Sequence, residues 1–184
     1  YVGVIARQEG LDLLLDSIKH IRSIRNRDDI QFVIVGGGRE LEELKKLAVA
    51  LELDDVVTFT GRVDDDTLFT ILSTADVCVN PDRPSSMNDK STMHKIMEYM
   101  TLGKPIVQFD LTEGRFSAGE ASLYVQNADT AEFGDKILEL LEDPARREAM
   151  GAFGQSRING ELAWHHASTK LLAAYEKVFK LRGK

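Results

Sequence analysis

The residues best suited to chemistry lie in the run NDKSTMHKIMEYMTLGKPIVQF, Asn88 to Phe109. Its apolar positions predict a helix over Ser91–Leu102, ahead of a strand-forming stretch introduced by Gly103 and Pro105. Asn88 or Asp89 can cap that helix, which leaves the amides of Ser91, Thr92 and Met93 as unpaired donors. A helix start of this kind attracts an anion, and Lys90 and Lys95 add positive charge beside it. Glu98 lies too far along the helix to serve the cap. Two readings fit it. One is a solvated glutamate paired with Lys95, three residues earlier. The other is an acceptor-only carboxylate for a vicinal diol, such as a ribose attached to a phosphate at the helix start.

Three other loops offer chemistry. ARQEG, Ala6–Gly10, follows the first apolar run and carries Arg7. In GGGRE, Gly36–Glu40, the glycines Gly37 and Gly38 let backbone N–H groups approach a ligand closely. A dinucleotide fingerprint would need glycine or alanine at position 41, where Leu41 stands, so a plain strand-to-helix turn fits too. In GRVDDD, Gly61 closes a strand and Asp64 caps the next helix; Asp64, Asp65 and Asp66 serve the helix dipole rather than a cation. Arg115 can reach a phosphate or stay solvated. Trp164, His165 and His166 stand near the last helix without carboxylate or cysteine partners at ligand spacing, so no metal site is expected. There is no P-loop, nucleophile elbow or metal-binding helix motif.

These loops need a scaffold, and the pattern of the chain supplies one. Strand-length apolar runs occur at Tyr1–Ala6, Ile30–Val35, Val56–Thr60, Asp76–Asn80, Pro105–Phe109 and Ser122–Val125. Helical periods occupy Leu11–Arg25, Glu40–Leu51, Asp65–Thr74 and Ser91–Leu102, with Leu11, Leu14, Leu15, Ile18, Ile21 and Ile24 on one face of the first. The strands are apolar nearly throughout, as expected when helices cover both sheet faces. The expected fold is α/β: a doubly wound parallel sheet of about six strands, followed by extra helices at Thr130–Glu142, Ala145–Asn159 and Glu161–Leu181. Ligands then belong outside the carboxyl ends of the strands.

The 184 residues fit one domain, and 43% hydrophobic with 29% charged residues is ordinary for a soluble one. A net charge of -7 argues against a nucleic-acid partner. The single cysteine, Cys78 in an apolar run, excludes a disulfide scaffold and points to a reducing, cytoplasmic setting. No apolar run approaches the roughly 20 residues of a membrane span. The chain opens in YVGVIA without a methionine, so it is expected to be a piece of something longer.

Taken in order, YVG, VIVGGGREL, VTFTGRVDDDTL, ADVCVNP and KIMEYMTLGKPIV resemble the C-terminal, donor-binding domain of retaining glycosyltransferases of family 4, with the GT-B architecture. The resemblance runs to the final LLAAYEKVF. It implies that Glu98 takes the ribose hydroxyls of a nucleotide sugar. The main chain around Arg62 and Val63 would hold the base. The segment Thr92, Met93 and His94 would face the diphosphate and sugar. It also implies loss of a nucleoside diphosphate with retention at the sugar carbon, no cofactor, an N-terminal acceptor-binding half, and a glycan or lipid-linked acceptor at the inner membrane face. Three positions depart from the pattern: Val4 and Glu9 replace the arginine and lysine that usually serve the diphosphate, and Lys90 replaces a glutamate. Arg7, Lys90 and Lys95 are the cations that could take over that role. Another GT-B enzyme, such as a nucleotide-sugar epimerase, or a degenerate partner-binding module are the alternatives.

Overall fold

In the computed structural model, which describes residues 1–181, helices alternate with parallel strands. After an extended first segment come α1 (Leu11–Ser23), β1 (Phe32–Val35), α2 (Leu41–Ala50), β2 (Val57–Gly61), α3 (Asp65–Thr74) and β3 (Cys78–Asn80). Then follow α4 (His94–Thr101), β4 (Ile106–Phe109), α5 (Thr112–Ala118), β5 (Ser122–Val125), α6 (Thr130–Glu142), α7 (Pro144–Arg157) and α8 (Trp164–Leu181). The α/β class and parallel pairing are as expected. The six-stranded sheet is not: β1 pairs with β2, and β3, β4 and β5 form a separate ladder in that order.

The first segment explains the division. Tyr1–Ile5 lies along β1, with hydrogen bonds from Gly3 N to the Val35 carbonyl (3.1 Å) and from Val35 N to that of Tyr1 (2.9 Å), yet its only ladder contact is the Val2–Val35 bridge. On its other flank a side chain intrudes. The Tyr99 hydroxyl accepts from Val2 N at 2.9 Å and donates toward the Val79 carbonyl at 3.4 Å. A phenol therefore occupies the place of a direct backbone bond between this segment and β3.

The core forms on both sides. Leu11, Leu14, Leu15, Ile18 and Ile21 of α1 are buried against a cluster that includes Ile34, Val79, Val107, Phe109 and Phe133. Ile24, expected on the same stripe, is 69% exposed because α1 ends at Ser23. On the other side Ile96, Tyr99 and Met100 of α4 cover Cys78 and Ile106. Local signals set the helix ends. Asp64 accepts from Thr67 N at the start of α3, and Asp143 accepts from Arg146 N with Pro144 in the first position of α7. One helix, α5, lies between the expected strands Pro105–Phe109 and Ser122–Val125, where the sequence pattern predicts no element. The last helix, α8, buries none of its residues and exposes Trp164, Leu172, Tyr175 and Phe179.

Candidate functional site

The loops at the carboxyl ends of the strands converge, as the alternating pattern requires. Gly36 N donates to the Gly61 carbonyl (2.9 Å) and Ile5 N to that of Gly37 (3.0 Å), which joins the first segment and the loops after β1 and β2. The glycines answer to this packing. A Cβ on Gly38 would sit 2.0 Å from the Ile5 carbonyl oxygen, and one on Gly36 would sit 1.8 Å from that of Gly3. Gly37 meets nothing closer than the Arg62 side chain, at 3.5 Å. Arg62 itself is exposed and Val63 half-buried.

The first loop is stitched to the long loop after β3. Arg83 N donates to the Gln8 carbonyl (3.0 Å), and the Asn88 side-chain amide bridges the carbonyls of Gln8 and Arg83 at 3.0 and 2.9 Å. Gly10, in the left-handed region at φ 64°, brings the chain against the Pro81 carbonyl. Asn88 is thereby committed elsewhere, and Asp89 caps α5 by accepting from Thr112 N at 2.8 Å. Neither caps α4, contrary to expectation. The helix begins three residues later than the spacing predicts, after a short turn at Asn88–Lys90, with Met93 at the cap position and no side-chain cap. Ser91 bonds to the Met87 carbonyl and Thr92 to Glu113. The bare first turn is therefore His94 and Lys95 rather than Ser91 and Thr92.

Lys95 does not pair with Glu98. Its side chain turns inward, where Nζ lies 2.6 Å from Glu9 Oε2 and 2.8 Å from Asp82 Oδ1, and 4.8 Å from the centre of the Tyr1 ring. The Tyr1 hydroxyl is itself 2.8 Å from Glu9 Oε2. The cation expected beside the helix start is thus buried and neutralised, and Glu9 is held by a lysine from α4. Burial works against the Glu9 charge, but the Lys95 ammonium outweighs it and keeps that carboxyl below its usual range. For Asp82 burial wins over Lys95, and its pKa is pushed up to about 6.

Glu98 is left exposed on the outer face of α4, with no side-chain hydrogen bond among the described residues. Lys90, Arg7 and His94 are likewise exposed without side-chain hydrogen bonds among the described residues. Arg115 is paired with Asp110 (2.7 Å) and lies over the Tyr124 ring, neither free nor simply solvated. His166 bonds to the Asn159 carbonyl. No group of three histidine, cysteine or acidic side chains is placed to hold a metal among the described residues.

Sequence reasoning missed Asp82, Asn80 and Gln108, all buried. Among the described residues the Asn80 amide, Asp82 Oδ2 and Gln108 Oε1 have no hydrogen-bond partner. The available signal was a polar residue closing an apolar strand, as in VCVNPD. A cavity of about 610 Å³ lies at the opposite ends of the strands, among Tyr1, Val33, Ile34, Val77 and Val79. Its arginines are already occupied, Arg27 by Asp29 and Glu142 and Arg147 by backbone carbonyls.

The chain is similar to known proteins over this whole arrangement. It is 28% identical, over 167 residues, to the GDP-mannose-dependent monoacylated alpha-(1-6)-phosphatidylinositol monomannoside mannosyltransferase of Corynebacterium glutamicum, covering 89% of this chain and 43% of that one. It therefore spans less than half the length of that relative. Among solved structures, sucrose-phosphate synthase from Thermosynechococcus elongatus superposes with a TM-score of 0.81 at 24% identity, over 98% of this chain and 45% of that one. TarM of S. aureus, solved with UDP, gives 0.83 at 18% identity over 94% and 34%. Both likenesses are of GT-B fold. The model of the family described as glycosyl transferases group 1 matches residues 1–143, and the chain belongs to that family.

Proposed function

We propose that the chain is the donor-binding half of a retaining glycosyltransferase that moves a hexose-type sugar from a nucleoside diphosphate to a glycan or lipid-linked acceptor. The observation that carries this reading is the state of α4: an uncapped first turn and, one turn further, an exposed and unpaired Glu98. Free amides at a helix start stabilise the charge that grows on a departing diphosphate, and they cost no reorganisation during the reaction. A carboxylate in that position accepts from both hydroxyls of a ribose. The loop at Arg62 and Val63, beside Gly37, gives a base main-chain partners, which fits relatives named for GDP-mannose and a neighbour solved with UDP. Lys90 and Arg7 are the cations left free for the diphosphate, since Lys95 is engaged. The nucleotide sugar is a substrate, and the reading needs no cofactor.

The acceptor site belongs to the other half of such an enzyme. No helix among the described residues is long and apolar enough to cross a membrane, and a lipid-linked acceptor would be met at the inner face of one. Calorimetry of this chain with guanosine, uridine and adenosine diphosphates tests the proposal. At least one is expected to bind, and Glu98→Ala is expected to weaken it roughly 10- to 100-fold, the loss of charge-assisted hydrogen bonds. No heat with any of the three, or equal affinity in the variant, would overturn it.

A further inference from the structure

Glu9 and Asp82 approach one ammonium group from two different loops. Their side chains are 15% and 1% exposed, and Lys95 between them is 9% exposed. Two carboxylates and one ammonium leave a buried excess of one negative charge. Among the described residues no second side-chain cation pairs with either carboxylate. Arg83, the nearest arginine in sequence, is paired with Asp12 of α1. The other groups that face Asp82, the hydroxyls of Tyr1 and Tyr99, are neutral and held neutral by burial. Asn80 and Gln108, at the ends of β3 and β4, bring no charge. Among the described residues Asp82 Oδ2 has no donor, while both carboxyl groups converge on the one Lys95 Nζ, at 2.6 and 2.8 Å. Two acids in this relation titrate as a unit, because burial favours one shared proton over two charges.

Lys95 is the second residue of α4, so the pair lies directly beneath the bare first turn. We propose that Glu9 and Asp82 form an acid pair that takes up a proton from solvent when an anion occupies the start of α4, and so act as positioning residues that keep Lys95 in place as the site fills. The identity of the anion as a nucleoside diphosphate rests on the function proposed above. The physical reason is charge balance. An arriving diphosphate adds negative charge beside a site already one unit negative, and the cheapest relief is a proton on Asp82 Oδ2. With Asp82 near 6, the pair is largely ionised at pH 7 and able to respond. An upward shift of about one unit implies uptake of roughly 0.4 proton there.

The test is calorimetry of this chain with guanosine and uridine diphosphates at pH 7 in phosphate, imidazole and Tris buffers. Their ionisation enthalpies differ, so the slope of the observed heat against them counts protons. The nucleotide's own phosphate contributes equally to every variant, so the readout is a difference in slope. Asp82→Asn is expected to remove roughly 0.4 proton from the count. Glu9→Gln is expected to change the count as well and provides the test should Asp82→Asn fail to fold. Binding heat with the same slope in wild type and both variants would overturn the acid pair while leaving the proposed function standing. No heat with guanosine, uridine or adenosine diphosphate would overturn the proposed function and with it the linkage; a chain that binds only the adenosine form is titrated with that nucleotide instead.

Discussion

Lys95 and Glu98 sit one turn apart on the same helix and have opposite physical situations. Lys95 is buried between two carboxylates, and replacing it by methionine leaves both uncompensated; a cost of about 3–5 kcal/mol is expected in denaturant unfolding. Glu98 is exposed and unpaired, so Glu98→Gln should leave stability within about 0.5 kcal/mol while lowering nucleotide affinity. The acid pair adds a pH dependence. Asp82 is raised in the folded state, so it favours folding more as pH falls through about 6 toward the ordinary carboxylate range. Between pH 7 and pH 5 this amounts to about 1 kcal/mol of added stability, to be measured as the difference between wild type and Asp82→Asn. Spacing alone made Glu98 legible as a lone carboxylate. It could not reveal where Lys95 points, because Glu9, 86 residues away, competes with a partner three residues along.

At the scale of elements, strands and helices were legible because the core is one-sided for each helix and two-sided for each strand. The helix α4 shows what was not. Its start depends on what Asn88 and Asp89 bind, and both are drawn off by other loops, toward Gln8 and Thr112. Cap-forming residue types are visible in a sequence, but the donor they choose is a tertiary matter. The glycine loop is a second case. GGG suggested room for a ligand, whereas Gly36 and Gly38 are fixed by the first segment pressing on them. Gly38→Ala is therefore expected to cost several kcal/mol or prevent folding, with its Cβ 2.0 Å from a backbone oxygen. Gly37→Ala should cost no more than about 1 kcal/mol, which makes it the position for testing contact with a base. Thermal unfolding of the two variants orders them.

Over the whole molecule, the family and the α/β class could be read from ordered motifs, but the break between the two ladders could not, because it turns on one tyrosine. The terminal helix α8 is amphipathic in sequence and buries none of its residues, so burial holds nothing of the core through it. A chain ending at Ala163 is expected to unfold within about 1 kcal/mol of the longer one, as measured in urea. The residues past 181 lie outside those described.

The phenol that parts the ladders also neighbours Glu98 in the chain. Glu98 is exposed and Tyr99 buried on the same helix, so a ligand that steadies the first steadies the helix that presents the second. The Val2 amide, whose acceptor is that phenol, becomes a built-in gauge. Its exchange with deuterated water should slow when a nucleoside diphosphate binds, and Tyr99→Phe should silence it.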